Sequence, residues 1–183
     1  MDRYYYLTNA IAEKDCDNFL SQYSNNKFEE AKTGDTATRE EQREYRQSEV
    51  QWLQPNNVIV RAIWSYVIDI NTQHFKANLT GYEGVQFTKY KANGDNYKWH
   101  KDTLEKHDKT QRKLSVVVQL SKPEDYKGGE LQLFNGMKEP EELPIKNQGS
   151  LIVFRSEEWH QVTPVVEGTR YSIVMWVNGP AYV

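Results

Sequence analysis

The sequence predicts an α+β, mainly β fold: a double-sheet barrel or jelly roll with helices buttressing one face. Three observations carry that expectation. Two stretches of helical apolar period precede Leu79, short runs of period-two alternation follow it, and Gly- or Asn-containing turn signals separate those runs.

Taken in order, Tyr4 to Leu7 reads as a short aromatic strand. Asn9 to Tyr23 sets Ile11, Ala12, Phe19 and Leu20 at helical spacing, with Asn9 as the N-cap. Ser24 to Ser48 is polar and charged with hardly any apolar period, so a long loop or a frayed, partly helical flap is expected there, either a lid or a disordered insertion. A second helix is expected from about Pro55 to Lys76, where Ile59, Ile63, Tyr66, Val67 and Ile70 share a face and Pro55 stands near the start. Strands follow at Val85 to Tyr90, Leu114 to Leu120, Gly129 to Phe134, Gly149 to Phe154, His160 to Val166 and Arg170 to Val177. Turns are expected at Asn93-Gly94, Gly128-Gly129, Asn147-Gln148-Gly149 and Glu167-Gly168. With no internal repeat or linker, the expected organisation is one domain over residues 1–183, helical over about 1–78 and barrel-like over about 79–183.

Composition narrows the function classes. With 23 basic against 26 acidic residues and a pI near 5.9, the chain lacks the positive field of a protein that tracks a phosphate backbone, so nucleic acid is not the expected partner. No run approaches the roughly 20 apolar residues of a spanning helix, which sets membrane insertion aside as an expectation. The single cysteine, Cys16, and a start without an apolar leader point to a reducing, cytoplasmic setting.

Chemistry concentrates around the histidines. In Trp99-His100-Lys101-Asp102 an imidazole and a carboxylate stand two residues apart, so extended backbone points both to one side. His160, opening a later strand, could complete a set of two histidines and one carboxylate, the facial arrangement of non-haem iron(II) oxygenases. Zinc also accepts such ligands, and a His-x-Asp pair alone also occurs in exposed polar turns. His74, near the end of the second helix, and His107, in the charged loop Glu105 to Arg112, read as solvated.

Ten residues beyond His160, Arg170 shares one strand face with Ser172, Val174 and Trp176. An inward guanidinium needs an anion, which a dicarboxylic co-substrate would supply with Ser172 adding a hydroxyl; the alternatives are a surface arginine or pairing with Glu167 or Glu130. Tyr90, ten residues before His100, either reaches the same pocket or is core, and Ser115 and Gln119 are lesser candidates for its wall.

These residues carry a resemblance. Tyr90, His100-Lys101-Asp102, Gly128-Gly129-Glu130-Leu131, Gly149 to Phe154, His160, Pro164 and Arg170-Tyr171-Ser172 resemble, in order and spacing, the double-stranded β-helix (jelly-roll) core of 2-oxoglutarate and iron(II) dioxygenases, prolyl 4-hydroxylase-like branch. Upstream, Arg46-Gln47-Ser48, Trp52-Leu53 and Arg61-Ala62-Ile63 resemble the amino-terminal part of prolyl 4-hydroxylase catalytic domains. The resemblance implies His100, Asp102 and His160 as ligands of Fe(2+), Arg170 on the distal carboxylate of 2-oxoglutarate, and Tyr90 and Ser172 as helpers. It further implies O2 as co-substrate, ascorbate as a candidate accompanying ligand, and proline in a peptide or protein as target. Collagen-type enzymes carry lysine where this chain has Arg170, whereas oxygen-sensing prolyl hydroxylases carry arginine. Nucleic-acid demethylases place a second arginine where this chain has Trp176.

Aromatic walls for a proline are expected from Tyr97, Trp99, Trp159 and Trp176. A free amino acid or small metabolite is the alternative substrate, and a non-catalytic metal-binding β-barrel module the alternative of another class.

Overall fold

A computed structural model describes residues 3–32, 38, 44–103, 110–136 and 139–181. Its elements in chain order are β1 (Tyr4–Leu7), α1 (Glu13–Tyr23), β2 (Glu29–Glu30), β3 (Arg46–Gln47), β4 (Glu49–Leu53), α2 (Val58–Ile70), β5 (Gly81–Tyr82), β6 (Val85–Lys91), β7 (Asn96–His100), β8 (Thr110–Gln119), β9 (Tyr126–Gly128), β10 (Leu131–Leu133), β11 (Glu141–Glu142), β12 (Leu151–Arg155), β13 (His160–Val162) and β14 (Val165–Pro180). Two antiparallel sheets face each other. The larger runs β1-β12-β8-β14-β6-β4-β2, with β5 and β9 also paired to β14, and the smaller runs β11-β10-β13-β7-β3.

Alternation along the larger sheet decides what each face buries. Val85, Phe87, Leu114, Val116, Val118, Leu151, Val153, Ile173, Met175 and Val177 point toward the helices and join Phe19, Ile59, Val60, Ile63, Val67 and Ile70 in one core. Tyr90, Val117, Ile152 and Phe154 point the other way, and with Leu131, Leu133 and Val162 of the smaller sheet they line the barrel interior. Ile63 is wholly buried, so Ile63→Ala would open a cavity and cost about 2–5 kcal/mol.

The boundaries depart from the sequence reading in places that have local causes. Helix α1 starts at Glu13 behind Ala12, and Asn9 instead adopts a left-handed turn with φ 55°, so Asn9 is no cap. Helix α2 starts at Val58, three residues beyond Pro55, behind Asn57, whose side chain accepts from Ile59 N at 3.0 Å. It ends at Ile70, and a π-type turn over Asn71–Phe75 continues it; there His74 stacks on Tyr5 with ring centroids 3.8 Å apart rather than standing in solvent. The segment Ser24 to Ser48 contributes β2 and β3, so its described part is no free loop; residues 33–37 and 39–43, and His107 with them, lie outside the described residues.

Glu167-Gly168 is not a turn between strands. It is a bulge within the single strand β14, whose register to β9 shifts between Val165 and Glu167. Gly168 has φ 71°, and a Cβ there would stand 1.9 Å from the Asp125 carbonyl oxygen. The predicted strand Gly129 to Phe134 is shortened to β10, Leu131–Leu133, and a separate strand, β9, ends just before it at Gly128. Strands β4 and β7 were not among the expected ones; their mixed burial blurs the alternation that betrays a strand. No helix among the described residues is long and apolar enough to cross a membrane.

Candidate active site

The smaller sheet brings the two histidines together. Strand β13 pairs antiparallel with β7 so that His160 lies directly opposite His100, and the two rings stand 4.0 Å apart. Asp102 follows β7 by two residues in a segment tied down by Asp102 N and Thr103 N, both donating to Ser156 O. All three side chains are buried, and one ligand atom from each lies within 4.8 Å of the others.

Backbone carbonyls orient the imidazoles. Nδ1 of His100 lies 2.7 Å from Lys98 O, and Nδ1 of His160 lies 2.9 Å from Glu158 O. Since a carbonyl only accepts, each Nδ1 carries a proton and each Nε2 is the nitrogen turned toward the site. Those Nε2 atoms stand 3.5 and 3.4 Å from the Asp102 carboxylate oxygens. Burial pushes the His100 imidazole below its ordinary basicity, and this outweighs the hydrogen bond and charge that Asp102 offers. Burial also works against the Asp102 carboxylate, yet the His160 and His100 rings beside it hold the carboxyl well below the usual carboxylate range. Two ring nitrogens and a carboxylate thus converge, and a divalent cation between them would complete the arrangement in place of a proton.

Arg170 lies further along the interior. It faces inward from β14 beside Tyr90 of β6, its register partner, with the guanidinium carbon 5.7 Å from the Tyr90 ring centroid. Neither alternative acid holds it: Glu167 pairs with Lys127, and no carboxylate among the described residues pairs with Arg170. Instead Arg170 Nε donates to Gln119 Oε1 at 3.1 Å, while Gln119 Nε2 donates to Ser121 O and Tyr126 Oη. Gln119 is therefore an orienting residue, and both terminal nitrogens of Arg170 remain for a planar anion. A cavity bordered by Gln119, Gly129, Leu131 and Arg170 opens beside it. Gly129 has φ 64°, and a Cβ there would crowd Val165 Cγ2 at 2.7 Å and Arg170 Cδ at 3.0 Å. Ser172 is buried on the same face as Arg170.

Of the expected aromatic walls, Tyr97 stacks on His100 with centroids 3.5 Å apart, and Trp99 meets Phe134 edge-on at the rim. Trp159 is exposed, with Lys101 Nζ 5.5 Å from its ring centroid, whereas Trp176 is buried under Arg112 and belongs to the interior. Sequence reading gave Ser115 only a place in the wall; in the structure it binds Asp102 directly, and Ser156 joins it.

Comparison with known proteins agrees with this geometry. The sequence pattern of the 2OG-Fe(II) oxygenase superfamily matches residues 85–178, the stretch that holds all four residues. The chain belongs to that superfamily. As a member, it is 37% identical over 88 residues to a PKHD-type hydroxylase of Synechococcus sp. (strain JA-3-3Ab), a match covering 46% of this chain and 38% of that one. It is 42% identical over 66 residues to the PKHD-type hydroxylase of Hyphomonas neptunium, covering 36% and 28%. The matches thus span well under half the length of these curated relatives. In fold, this oxygenase domain is similar to a viral collagen prolyl hydroxylase from Paramecium Bursaria Chlorella virus-1 (TM-score 0.73, 20% identity, 97% of each chain). It is also similar to a prolyl hydroxylase of Trichoplax adhaerens in complex with a hypoxia inducible factor peptide fragment (TM-score 0.72, 18% identity, 97% of this chain and 84% of that one).

Proposed function

We propose that the chain is a 2-oxoglutarate- and iron(II)-dependent dioxygenase that hydroxylates proline in a peptide or protein. The observation that carries this reading is the convergence of two imidazole Nε2 atoms and the Asp102 carboxylate in one interior with a buried arginine that pairs with no carboxylate among the described residues. The donor set fits iron(II), since two nitrogens and one carboxylate on one side leave positions for other ligands. In this reading His100, Asp102 and His160 hold the metal, and Arg170 takes the distal carboxylate of 2-oxoglutarate in its terminal fork, helped by the hydroxyls of Ser172 and Tyr90. Iron bound there supplies the oxidising chemistry, in which O2 gives one atom to a C–H bond of the substrate and one to 2-oxoglutarate, released as succinate and CO2.

The protein's own share is placement. Carbonyls of Lys98 and Glu158 keep each Nδ1 protonated and each Nε2 free for metal. Ser115 donates to Asp102 Oδ2, and the interior residues Val117, Leu131, Ile152 and Phe154 keep water from the reacting atoms. Proline as target draws support from the prolyl hydroxylases among the structural neighbours, one of them bound to a peptide.

Anaerobic titration with iron(II) and 2-oxoglutarate tests the reaction type: a weak visible charge-transfer band should appear in the wild-type chain and vanish in Asp102→Ala and His160→Ala. Metal binding without that band would sink it. Succinate release with proline-containing peptides against free proline tests the substrate; turnover with free proline alone would replace the peptide reading.

A further inference from the structure

Arg46 is a second buried guanidinium in the same barrel, and the proposed mechanism does not use it. It is 6% exposed. Among the described residues two of its N–H groups are engaged, both by neutral acceptors: Nε donates to Ser48 Oγ at 2.9 Å and Nη2 to Gln86 Oε1 at 3.1 Å. No carboxylate among the described residues pairs with it. A guanidinium taken out of water without a counter-ion is unfavourable, so the fold holds Arg46 at a cost to stability.

Its surroundings point into the site. Strand β3 pairs with β7 so that Arg46 lies opposite Tyr97, and its guanidinium carbon sits 4.7 Å from the Tyr97 ring centroid. The same ring stacks on His100, with centroids 3.5 Å apart, so Tyr97 touches both Arg46 and His100. Gln86, Thr88 and Tyr90 alternate onto the interior face of β6, and Thr88 Oγ1 is buried with no partner. A cation without an anion and a hydroxyl without an acceptor therefore share one stretch of barrel wall, one aromatic ring from the triad.

We propose that Arg46 anchors a second carboxylate subsite, distinct from that of Arg170, which binds a carboxylate carried by the molecule to be hydroxylated. The inference rests on the oxygenase reading above. The substrate class it assigns is a carboxylate-bearing one: either the terminal carboxylate of an amino acid or an acidic side chain within a peptide. Arg46 supplies the charge and the planar N–H fork, Gln86 and Ser48 hold the fork in place, and Thr88 offers its hydroxyl.

The test uses the full chain loaded with zinc(II) and saturated with 2-oxoglutarate, so that Arg170 is already occupied. Acetate, the simplest carboxylate, is added while the Arg46 Nε–H is followed by nitrogen-edited NMR. A saturable shift with acetate and none with acetamide is expected, together with a rise in melting temperature that Arg46→Gln abolishes. No saturable shift, an equal response to acetamide, or an acetate effect that survives in Arg46→Gln would overturn the proposal. Arg46→Gln without ligand should melt at or above the wild-type temperature; a lower one would make Arg46 a structural residue and overturn it as well. Failure of 2-oxoglutarate to stabilise the zinc-loaded wild type would instead count against the oxygenase reading, which keeps the two apart. N-acetyl-L-proline and N-acetyl-L-glutamic acid α-amide then separate the sources: the probe whose affinity depends more on Arg46 identifies where the carboxylate sits.

Discussion

Ser115 Oγ donates to Asp102 Oδ2 at 2.7 Å, and Ser156 Oγ lies 2.9 Å from Ser115 Oγ, so the carboxylate of the triad is held from behind by a buried hydroxyl pair. Ser115 has one proton, and giving it to Asp102 leaves Ser156 as donor to Ser115. The arrangement restrains the carboxylate so that Oδ1 faces His100 and Oδ2, which accepts from Ser115, faces His160.

Ser115→Ala should therefore weaken metal binding by about 10-fold or more, in the range for residues that support a ligand from behind. Competition with a chelator in the wild type and the variant measures it. Unchanged affinity would show that Asp102 is oriented without Ser115.

Gln119→Ala should weaken 2-oxoglutarate binding, because it removes the acceptor that aims Arg170. Losing a hydrogen bond to a charged group is worth about 1.5–3 kcal/mol, so roughly a 10- to 100-fold rise in the dissociation constant is expected. Calorimetry on the metal-loaded chain reads this directly, and metal affinity should stay within about two-fold, since Gln119 touches no triad residue.

Burial pushes the Cys16 thiol up to about 12, with the carboxylates of Asp17, Asp15 and Glu13 adding to the effect. The nucleophile is the thiolate, which is then scarce at pH 8. Cys16 should resist alkylation in the native chain at that pH and react within minutes once denaturant exposes it. Rapid labelling of the folded chain, followed by mass spectrometry, would contradict this.

Asn57→Ala removes the side-chain cap of α2 and should cost about 1 kcal/mol, visible as a lower urea midpoint with an unchanged slope. Asn9→Ala, by contrast, touches no helix cap; its effect comes only from the left-handed backbone at that position. A cap-sized loss without relief of strain there would revive the sequence expectation.

Much of the candidate site was legible in the sequence, for a physical reason that is local. Extended backbone alternates, so His100 and Asp102, or Arg170 and Ser172, can be assigned to a common side from their spacing alone. The same alternation made β6, β8, β10, β12, β13 and β14 readable, though not β7, and apolar period located α1 and α2 to within a few residues. Gly168 misled because positive φ serves a bulge inside a strand as well as a turn between strands, and a single sequence does not distinguish the two.

What the sequence determined by itself was thus the inventory: two histidines, one carboxylate and an arginine on β-type segments in an order that resembles an oxygenase core. Tertiary structure decided which of them meet. His100 and His160 are separated by a long stretch of chain and face each other only because β13 pairs with β7 in that register. Ser115 reaches Asp102, Gln119 aims Arg170, and Arg46 stacks over Tyr97 for the same reason. Side-chain period is a property of a few neighbouring residues, whereas register between distant strands is set by the whole core, where a slip of one residue would turn each buried face outward.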